Sequence, residues 1–334
     1  MLIRVDANVE IGTGHVMRCL ALGQAWQDAG GQVDLAAAEI TPALQARISL
    51  ERFCQFAVPF GIGSSEDAGY TADLARSRLA QWVVIDGYGF NAGYQERVRR
   101  SGAKILVIDD FGEREGYSAD IILNQNLSAA EALYKNCGAQ TRLLLGTSFV
   151  LLRREFRSWV DWSRKVPAKA HHLMVTMGGS DPDGITARIS GTFSVTGLQN
   201  TFIMGGSTRD WPDSRHVDRA LILKDQQDMA SIMAKADIMI ICCGGTLWES
   251  LFMGCATLAY TRNPVQEEIM KSLQECEAAR WLGAESDLDC ESLKQAVTDI
   301  AASKRVRGQM CSEGRKIVDG RGTQRVLLAL EQFS

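Results

Sequence analysis

The sequence predicts an α/β protein built from two doubly wound domains, each a parallel sheet wrapped by helices. Two observations predict this fold class. Short apolar segments alternate with amphipathic helical segments along the chain, and the alternation restarts near residue 173. The length of 334 residues also suits two domains of ordinary size. We expect the two domains to face a cleft, with ligands at the carboxyl ends of the strands.

Each half supplies five predicted strands. In the first half the apolar segments are 2–6, 32–38, 53–58, 82–86 and 104–109. Helices are predicted between them, for example at 15–29 and 71–80. In the second half the predicted strands are 173–177, 201–204, 220–223, 237–242 and 257–260. The predicted helices there are 226–236, 246–253 and 267–277.

The segment 153–170 is charged, contains two tryptophans and ends near a proline, so it is the best linker candidate. We therefore expect an N-terminal Rossmann-like domain over residues 1–155 and a C-terminal Rossmann-like domain over residues 156–318. The segment 319–334 is predicted to be a turn and a helix, and this helix is a candidate for returning to the N-terminal domain.

Composition excludes several classes of protein. Apolar residues make up 46% and charged residues 23% of the chain, which excludes a disordered or collagen-like protein. The formal charge of -4 gives no general basic field, so we expect no nucleic-acid partner. The apolar runs are far shorter than the ~20 residues that span a bilayer, so we expect no stable membrane insertion. No signal-peptide pattern precedes the first strand, which favours a cytoplasmic protein.

The cysteines and histidines do not form a recognisable metal or disulfide pattern. There are nine cysteines and four histidines, and no C-x-x-C pair occurs. We expect reduced thiols, no metal site and no cofactor.

The first motif follows the first predicted strand and opens a helix. It reads Gly12-Thr13-Gly14-His15, and its glycines let the backbone approach a ligand closely. It is not a dinucleotide fingerprint, because Met17 occupies the position of the third glycine. The positive end of the helix dipole favours a neutral imidazole on His15, the form that accepts a proton. A histidine that merely caps the turn is the alternative.

Two further glycine-rich motifs follow strands of the second half. Gly178-Gly179-Ser180 and Gly244-Gly245-Thr246 suit backbone contacts to a phosphate or a diphosphate. Glu249, one turn into the following helix, is placed to bind the hydroxyls of a ribose. The alternatives are a plain tight turn at the first motif and a capping box of Thr246 and Glu249 at the second.

Acidic residues end other predicted strands. Asp86-Gly87-Tyr88 and Asp109-Asp110 lie at the sheet edge where sites form, although such residues also form ordinary turns. Asp181-Pro182-Asp183 has the D-x-D lettering of some metal-dependent sugar transferases, a pattern that also arises by chance.

Taken together, these motifs resemble the UDP-2,4-diacetamido-2,4,6-trideoxy-β-L-altropyranose hydrolases of pseudaminic acid biosynthesis. More widely they resemble the GT-B superfamily that contains the N-acetylglucosaminyltransferase of peptidoglycan synthesis. The resemblance extends nearly from end to end. The blocks that carry it are Arg4-Val5-Asp6-Ala7, 12–19, Asp86-Gly87-Tyr88, Asp109-Asp110, Ile122-Leu123-Asn124-Gln125, Leu151-Leu152-Arg153, Glu155-Phe156, 178–182, 244–249 and Asp319-Gly320-Arg321-Gly322.

This resemblance implies a GT-B-like fold, with two Rossmann-like doubly wound domains facing a cleft, and a hydrolase in which His15 activates water. It implies that the C-terminal domain binds UDP. The residues expected to contact UDP are Gly178, Gly179, Ser180, Gly244, Gly245, Thr246 and Glu249. Those expected to contact the rest of the substrate are Gly12, Gly14, Arg18, Asp86, Tyr88 and Asn124.

Two departures from the family concern the substrate. The family reads Ser-Ala before the Gly-Gly-Thr motif, whereas this chain has Cys242-Cys243. The family carries adjacent Asn-Gln after the fifth strand of the domain, whereas here two residues separate Asn263 from Gln266. A different nucleotide sugar is therefore an open alternative.

The predicted reaction is hydrolysis of a UDP-linked diacetamido-trideoxy hexose, with inversion, by one base and without metal. A nucleoside diphosphate is a good leaving group because its last ionisation lies near ~6. The alternatives are a GT-B glycosyltransferase that uses a UDP-amino sugar, a sugar 2-epimerase and a non-catalytic nucleotide-sugar binding protein. The expected partner is the UDP-sugar alone, bound by a monomer or weak homodimer.

Overall fold

The chain divides into two compact units. The second is a continuous segment, and the first is made of the segments before and after it. The computed structural model describes residues 1–8, 10–179, 181–193, 197–206 and 220–333. Unit 1 consists of Met1–Arg154 together with Arg321–Ser334, and unit 2 is Glu155–Gly320.

The strands form one parallel sheet in each unit. Those of unit 1 are β1 (Leu2–Val5), β2 (Asp34–Ala37), β3 (Cys54–Ala57), β4 (Trp82–Asp86), β5 (Lys104–Ile108), β6 (Ile121–Asn124) and β7 (Arg142–Leu145). Those of unit 2 are β8 (His172–Thr176), β9 (Gln199–Met204), β10 (Ala220–Lys224), β11 (Ile238–Cys242), β12 (Ala256–Thr261) and β13 (Ala279–Ala284).

The strand order is the same in both units. Sheet A of unit 1 runs β3-β2-β1-β4-β5-β6-β7, and sheet B of unit 2 runs β10-β9-β8-β11-β12-β13. Both contain the 3-2-1-4-5-6 order of a Rossmann fold. The order reverses between β1 and β4 in unit 1 and between β8 and β11 in unit 2. The predicted fold class, two doubly wound α/β domains, is confirmed.

Helices connect the strands. They are α1 (Gly14–Asp28), α2 (Pro42–Leu50), α3 (Ser65–Ser77), α4 (Ala92–Arg99), α5 (Arg154–Arg157), α6 (Ile185–Ser190), α7 (Met229–Met233), α8 (Gly245–Phe252), α9 (Pro264–Glu275), α10 (Cys290–Ala302), α11 (Lys304–Ile317) and α12 (Gly322–Glu331). Side chains that accept a backbone N–H begin several of them, such as Ser64 at α3, Asn91 at α4 and Asn263 at α9.

Three strands, β6, β7 and β13, were not among the predicted ones. β6 and β7 have only four residues each, and β13 contains an arginine, a tryptophan and a glycine. Helix α3 begins at Ser65, earlier than the predicted residue 71, because Ser64 caps it by accepting a hydrogen bond from the Asp67 N–H.

Both faces of sheet A are buried. Consecutive residues point to opposite faces, so Leu2 and Val83 enter one apolar cluster while Ile3 and Val84 enter the other. Helix α12 packs in the second cluster, to which it contributes Val326, Ala329 and Leu330. Its first residue is Gly322, where a Cβ would lie 2.3 Å from the Val150 carbonyl oxygen. Only glycine permits this approach of the last helix to the rest of unit 1.

Candidate active site

The two candidate sites lie at equivalent places, where the strand order of each sheet reverses. In sheet A the loop that follows β1 carries His15, and the loop that follows β4 begins at Asp86. Strands β1 and β4 are parallel neighbours in which Val5 pairs with Asp86. The chain therefore places both loops at the carboxyl edge of the sheet, where ligands of such folds bind.

His15 is buried in the first turn of α1 and is held by Asp86. Its Nδ1 lies 2.7 Å from Asp86 Oδ1. An ionised carboxylate can only accept hydrogen bonds, so Nδ1 must carry a proton and donate it to Asp86 Oδ1. In the neutral ring, Nε2 then has the lone pair and can accept a proton from a reactant. Asp86 thus selects the tautomer and the orientation of a potential base.

Arg18, one turn further along α1, fixes Asp86 in place. Its Nε and Nη2 donate to Asp86 at 2.7 Å each, and its Nη1 and Nη2 donate to Asp110 at 2.6 and 3.0 Å. Both Nη2 protons are therefore used by the carboxylates, although this nitrogen also lies 3.1 Å from His15 Nδ1. Arg18 bridges the ends of β4 and β5 through two forked ion pairs.

The charges of this cluster keep both carboxylates ionised. Burial alone would raise the pKa of Asp86, but Arg18 and His15 outweigh it and hold that pKa well below its usual range. Burial opposes ionisation of Asp110 as well, and Arg18 again lowers the pKa of the carboxyl. With a neutral His15 the cluster has one negative charge in excess. That charge lies next to the imidazole of His15, whose Nδ1 contacts Asp86.

Tyr88 stands beside the imidazole. The two rings meet edge to face, with centroids 5.0 Å apart, and the Tyr88 hydroxyl donates to Asp110 Oδ2 at 3.4 Å. Burial of the hydroxyl and the charge of Asp110 raise its pKa, so the phenol stays protonated. The residue as a whole is 61% exposed. Tyr88 therefore presents aromatic surface next to His15.

The glycines of the first motif shape the loop. Gly12 has a φ of +79°, in the left-handed region that favours glycine, and its N–H donates to the Asn8 carbonyl at 2.9 Å. Gly14 begins α1, and a Cβ there would meet none of the described part of the chain within 4 Å. The N-cap residue Thr13 makes no side-chain capping bond. The N-terminus of α1 is therefore open on the side of Gly14.

Asn124 joins a separate network beneath the same edge. It is fully buried, donates to the Tyr134 hydroxyl at 2.8 Å and accepts from the Asn126 N–H at 3.0 Å. Tyr134 in turn donates to Asp109 at 3.0 Å. Asn126, which the motifs did not single out, donates through Nδ2 to Asp110 at 3.2 Å. Asn124 thus supports the loop that reaches the His15 cluster.

The glycine-rich motifs of unit 2 lie at the carboxyl ends of neighbouring strands. Gly178 and Gly179 follow β8, Gly244 and Gly245 follow β11, and the two strands pair in parallel through Thr176 and Ile241. Gly178 has a φ of +89°. The predicted contact Ser180 lies outside the described residues.

Helix α8 begins at Gly245, so Thr246 lies inside the helix and the capping-box alternative for this residue is wrong. The N-cap is Gly244, which is exposed and has no side chain to accept the first N–H groups. A Cβ on Gly244 or Gly245 would meet none of the described residues within 4 Å. Glu249 lies one turn further along α8, half-buried. This open helix start is suited to an anionic ligand.

Asp181, the first residue of the D-x-D motif, has a structural role. Asp181 is buried, and its two oxygens accept from the N–H groups of Ile185 and Thr186 at 2.8 and 2.9 Å. Both oxygens are thus occupied by the start of α6. Nowhere in the described ranges do three or more His, Cys, Asp or Glu side chains gather as a metal ion would require.

Comparison with known proteins supports the resemblance inferred from the motifs. No family model matches the chain. A Campylobacter jejuni protein named UDP-2,4-diacetamido-2,4,6-trideoxy-beta-L-altropyranose hydrolase is 23% identical over 276 residues, which cover 79% of this chain and 92% of that protein. The spore coat polysaccharide biosynthesis protein SpsG of Bacillus subtilis is 24% identical over 271 residues, or 77% and 78% of the two chains.

The crystal structure of Acinetobacter baumannii MurG superposes with a TM-score of 0.65 at 14% identity, covering 99% of both chains. The chain has the GT-B fold. The predicted relation to a UDP-sugar hydrolase is confirmed by the Campylobacter relative of that name. Among the described residues of this GT-B protein, no helix is long and apolar enough to cross a bilayer.

Proposed function

We propose that this protein is a nucleotide-sugar hydrolase that releases UDP from a UDP-linked diacetamido-trideoxy hexose by attack of water at the anomeric carbon. The observation that carries the proposal is the contact of His15 Nδ1 with Asp86 Oδ1 at 2.7 Å, which leaves Nε2 as the proton acceptor. The name of the Campylobacter relative supports the choice of substrate class.

In the proposed reaction His15 Nε2 takes a proton from water as the oxygen forms its bond to the anomeric carbon. The bond from that carbon to the diphosphate oxygen breaks, and its electron pair leaves with UDP. Direct displacement inverts the anomeric centre. Asp86 stabilises the imidazolium that forms, and Arg18 holds Asp86 against this change of charge.

Departure of UDP is assisted by hydrogen-bond donors to the diphosphate and does not need a general acid. UDP departs as a stable anion, since the last ionisation of a phosphate lies near ~6. We assign its diphosphate to the backbone of Gly178, Gly179 and Gly244–Thr246, with Ser180 nearby in sequence, and its ribose to Glu249. The proposed reaction needs no metal and no cofactor.

The sugar contacts of unit 1 are proposed for Tyr88 and for the loop of Gly12 and Gly14. Arg18 and Asp86 are engaged with each other and with His15, so we assign them to positioning the base. Asn124 is buried in the supporting network, and we assign it to holding the loop through Asn126. These assignments place the sugar contacts around His15, the proposed base.

The reaction belongs, in this proposal, to nonulosonic (pseudaminic) acid biosynthesis. The departure at Asn263 and Gln266 has a local physical reason. Asn263 caps α9 by accepting from the Gln266 N–H at 3.0 Å, and Gln266 Oε1 accepts from the Arg262 N–H at 2.7 Å. These two hydrogen bonds shape the loop after β12, so a hydrolase for a different nucleotide sugar is the nearest variant of the proposal.

A glycosyltransferase that uses a UDP-amino sugar is the second candidate. The observation in its favour is that an oriented base such as His15 deprotonates an acceptor hydroxyl as readily as water. The two are separated by the acceptor. A transferase consumes the UDP-sugar faster when an alcohol acceptor is added and forms a glycoside, whereas the hydrolase forms the free sugar at an unchanged rate.

The deciding experiment is incubation of the protein with the UDP-linked diacetamido-trideoxy altrose in ¹⁸O-water, without added metal. We expect release of UDP and one ¹⁸O atom in the sugar, since water attacks carbon. Label in the phosphate would show attack at phosphorus and refute the mechanism. If this substrate releases no UDP while other UDP-sugars do, the substrate assignment is wrong and the loop of Asn263 becomes the site to examine.

A further inference from the structure

An ion pair at the edge of sheet B lies next to the proposed nucleotide site. Strands β12 and β13 are parallel, and Thr261 pairs with Ala284. The next residues, Arg262 and Glu285, are consequently neighbours just beyond the carboxyl ends of the two strands. Arg262 Nε and Nη2 donate to the two carboxylate oxygens of Glu285 at 2.5 and 3.0 Å. The register of the sheet therefore fixes a forked pair at the edge where ligands bind.

The same register brings Arg262 towards the glycine-rich turn of Gly244. Strand β12 lies beside β11, where Cys242 pairs with Tyr260 and the Cys243 N–H donates to the Tyr260 carbonyl at 2.8 Å. Arg262 follows Tyr260 by two residues. Arg262 is close enough to Cys242 to affect its thiol. Burial raises the pKa of that thiol, and the positive charge of Arg262 opposes the rise. Arg262 thus lies near the carboxyl end of β11, from which the turn of Gly244 leads to α8.

Arg262 is more exposed than an arginine whose ion pairs are entirely buried. Arg4 of unit 1 has no exposed side-chain surface and is enclosed by Asp6 and Asp67. The side chain of Arg262 keeps 30% of its surface exposed, although its partner Glu285 keeps only 9%. The carboxylate is therefore the buried partner, and the guanidinium is the part that faces outward.

We propose that Arg262 binds the diphosphate of the nucleotide ligand and that Glu285 is the positioning residue for it. The inference rests on the proposed function and adds a charged contact to the backbone donors assigned there. A UDP group carries about three negative charges at neutral pH, which neutral N–H groups match only through partial charges. A guanidinium is a rigid planar cation that fits phosphate oxygens, and Glu285 fixes its orientation through Nε and Nη2.

The test measures binding of UDP and of uridine, by calorimetry, to the wild type and to Arg262→Ala. We expect the variant to lose about 10- to 100-fold in affinity for UDP, as for loss of a charged hydrogen bond, and to bind uridine as the wild type does. Arg262→Lys keeps the charge without the fork, so its loss is smaller. Glu285→Gln keeps its shape but releases the guanidinium, with an expected loss of about 3- to 10-fold in UDP affinity.

Lys271→Ala is the matched control, because it removes a cation that pairs with Glu268 at 2.7 Å on the neighbouring helix α9. It is expected to bind UDP normally. Equal UDP affinity in the wild type and in Arg262→Ala overturns the inference, and so does an equal loss for UDP and uridine, which indicates a structural role. If Arg262→Ala fails to fold, the Lys variant decides by the same criterion. A wild type that binds no UDP refutes the proposed function itself.

Discussion

Units 1 and 2 have the same strand order yet opposite chemistry at the same place. Where the order of sheet A reverses, side chains dominate: His15, Arg18, Asp86 and Asp110 form a buried charged cluster. Where the order of sheet B reverses, the backbone dominates, with glycines after both β8 and β11. The comparison teaches that the fold supplies a position, while the residues of two loops decide which chemical groups stand there.

The loops themselves are more alike than their side chains. The loop after β1 and the loop after β8 each contain a glycine with positive φ, Gly12 at +79° and Gly178 at +89°. The helices α1 and α8 both start without a side-chain cap, whereas α3 and α9 are capped. An open helix start is therefore a shared feature of the two switch points, and the charged cluster belongs to unit 1.

The largest effect is expected from a substitution in unit 1 that lowers turnover without changing the affinity for UDP. In His15→Ala we expect turnover to fall by about 100- to 10,000-fold, a typical contribution of a general base, with UDP affinity unchanged. Release of UDP from the UDP-sugar and calorimetric binding of UDP are the two measurements. His171→Ala, which removes an exposed histidine at the opposite end of sheet B, is the control. Near-normal turnover of the His15 variant would remove that residue from the mechanism.

A smaller loss is expected from Asp86→Asn. The amide cannot accept from His15 and from Arg18 on both of its atoms, so the tautomer of the imidazole is no longer selected. We expect turnover to fall by about 10- to 1,000-fold, less than for loss of the base itself, and the melting temperature to fall as well. Asp34→Asn, which weakens an ion pair with Arg78 at 3.0 Å, controls for loss of a carboxylate. Lower stability with full turnover would contradict a positioning role.

The smallest of these effects concerns unit 2. Gly245→Ala adds a methyl group at the first residue of α8, where a Cβ would meet no described residue within 4 Å. We expect an unchanged fold and an affinity for UDP about 10-fold weaker, because the methyl group keeps a phosphate from the N–H groups. Gly308→Ala in α11 also enters open space and serves as the control. If both variants bind UDP as the wild type does, the diphosphate lies elsewhere.

Most strands were predictable from their apolar segments, whereas β6, β7 and β13 were not. The predicted segment 82–86 coincides with β4, and 104–109 ends one residue after β5. By contrast, β13 contains Arg280 and Gly283, and its register shifts beside β12. β6 has four residues that end in Asn124. Such strands are specified by the neighbours that they pair with, which a local pattern does not contain.

The candidate site shows the same division. That Asp86 and Asp110 follow strands could be predicted, because acidic residues ended two apolar segments. That Arg18 joins them required the order in which β1, β4 and β5 lie side by side. Asn126 was missed because β6 was not a predicted strand, so its position at a carboxyl end carried no signal. Sequence alone identified the groups, and the topology determined which of them meet.

The return of α12 to unit 1 has a consequence for how the chain is made. Unit 1 lacks part of its core until Val326 and Leu330 arrive, yet unit 2 is continuous between Glu155 and Gly320. During synthesis on the ribosome, the second unit is therefore complete before the first. Until then, one apolar face of the sheet in the nascent N-terminal segment is incompletely covered. During this interval the exposed apolar surface can bind chaperones or aggregate.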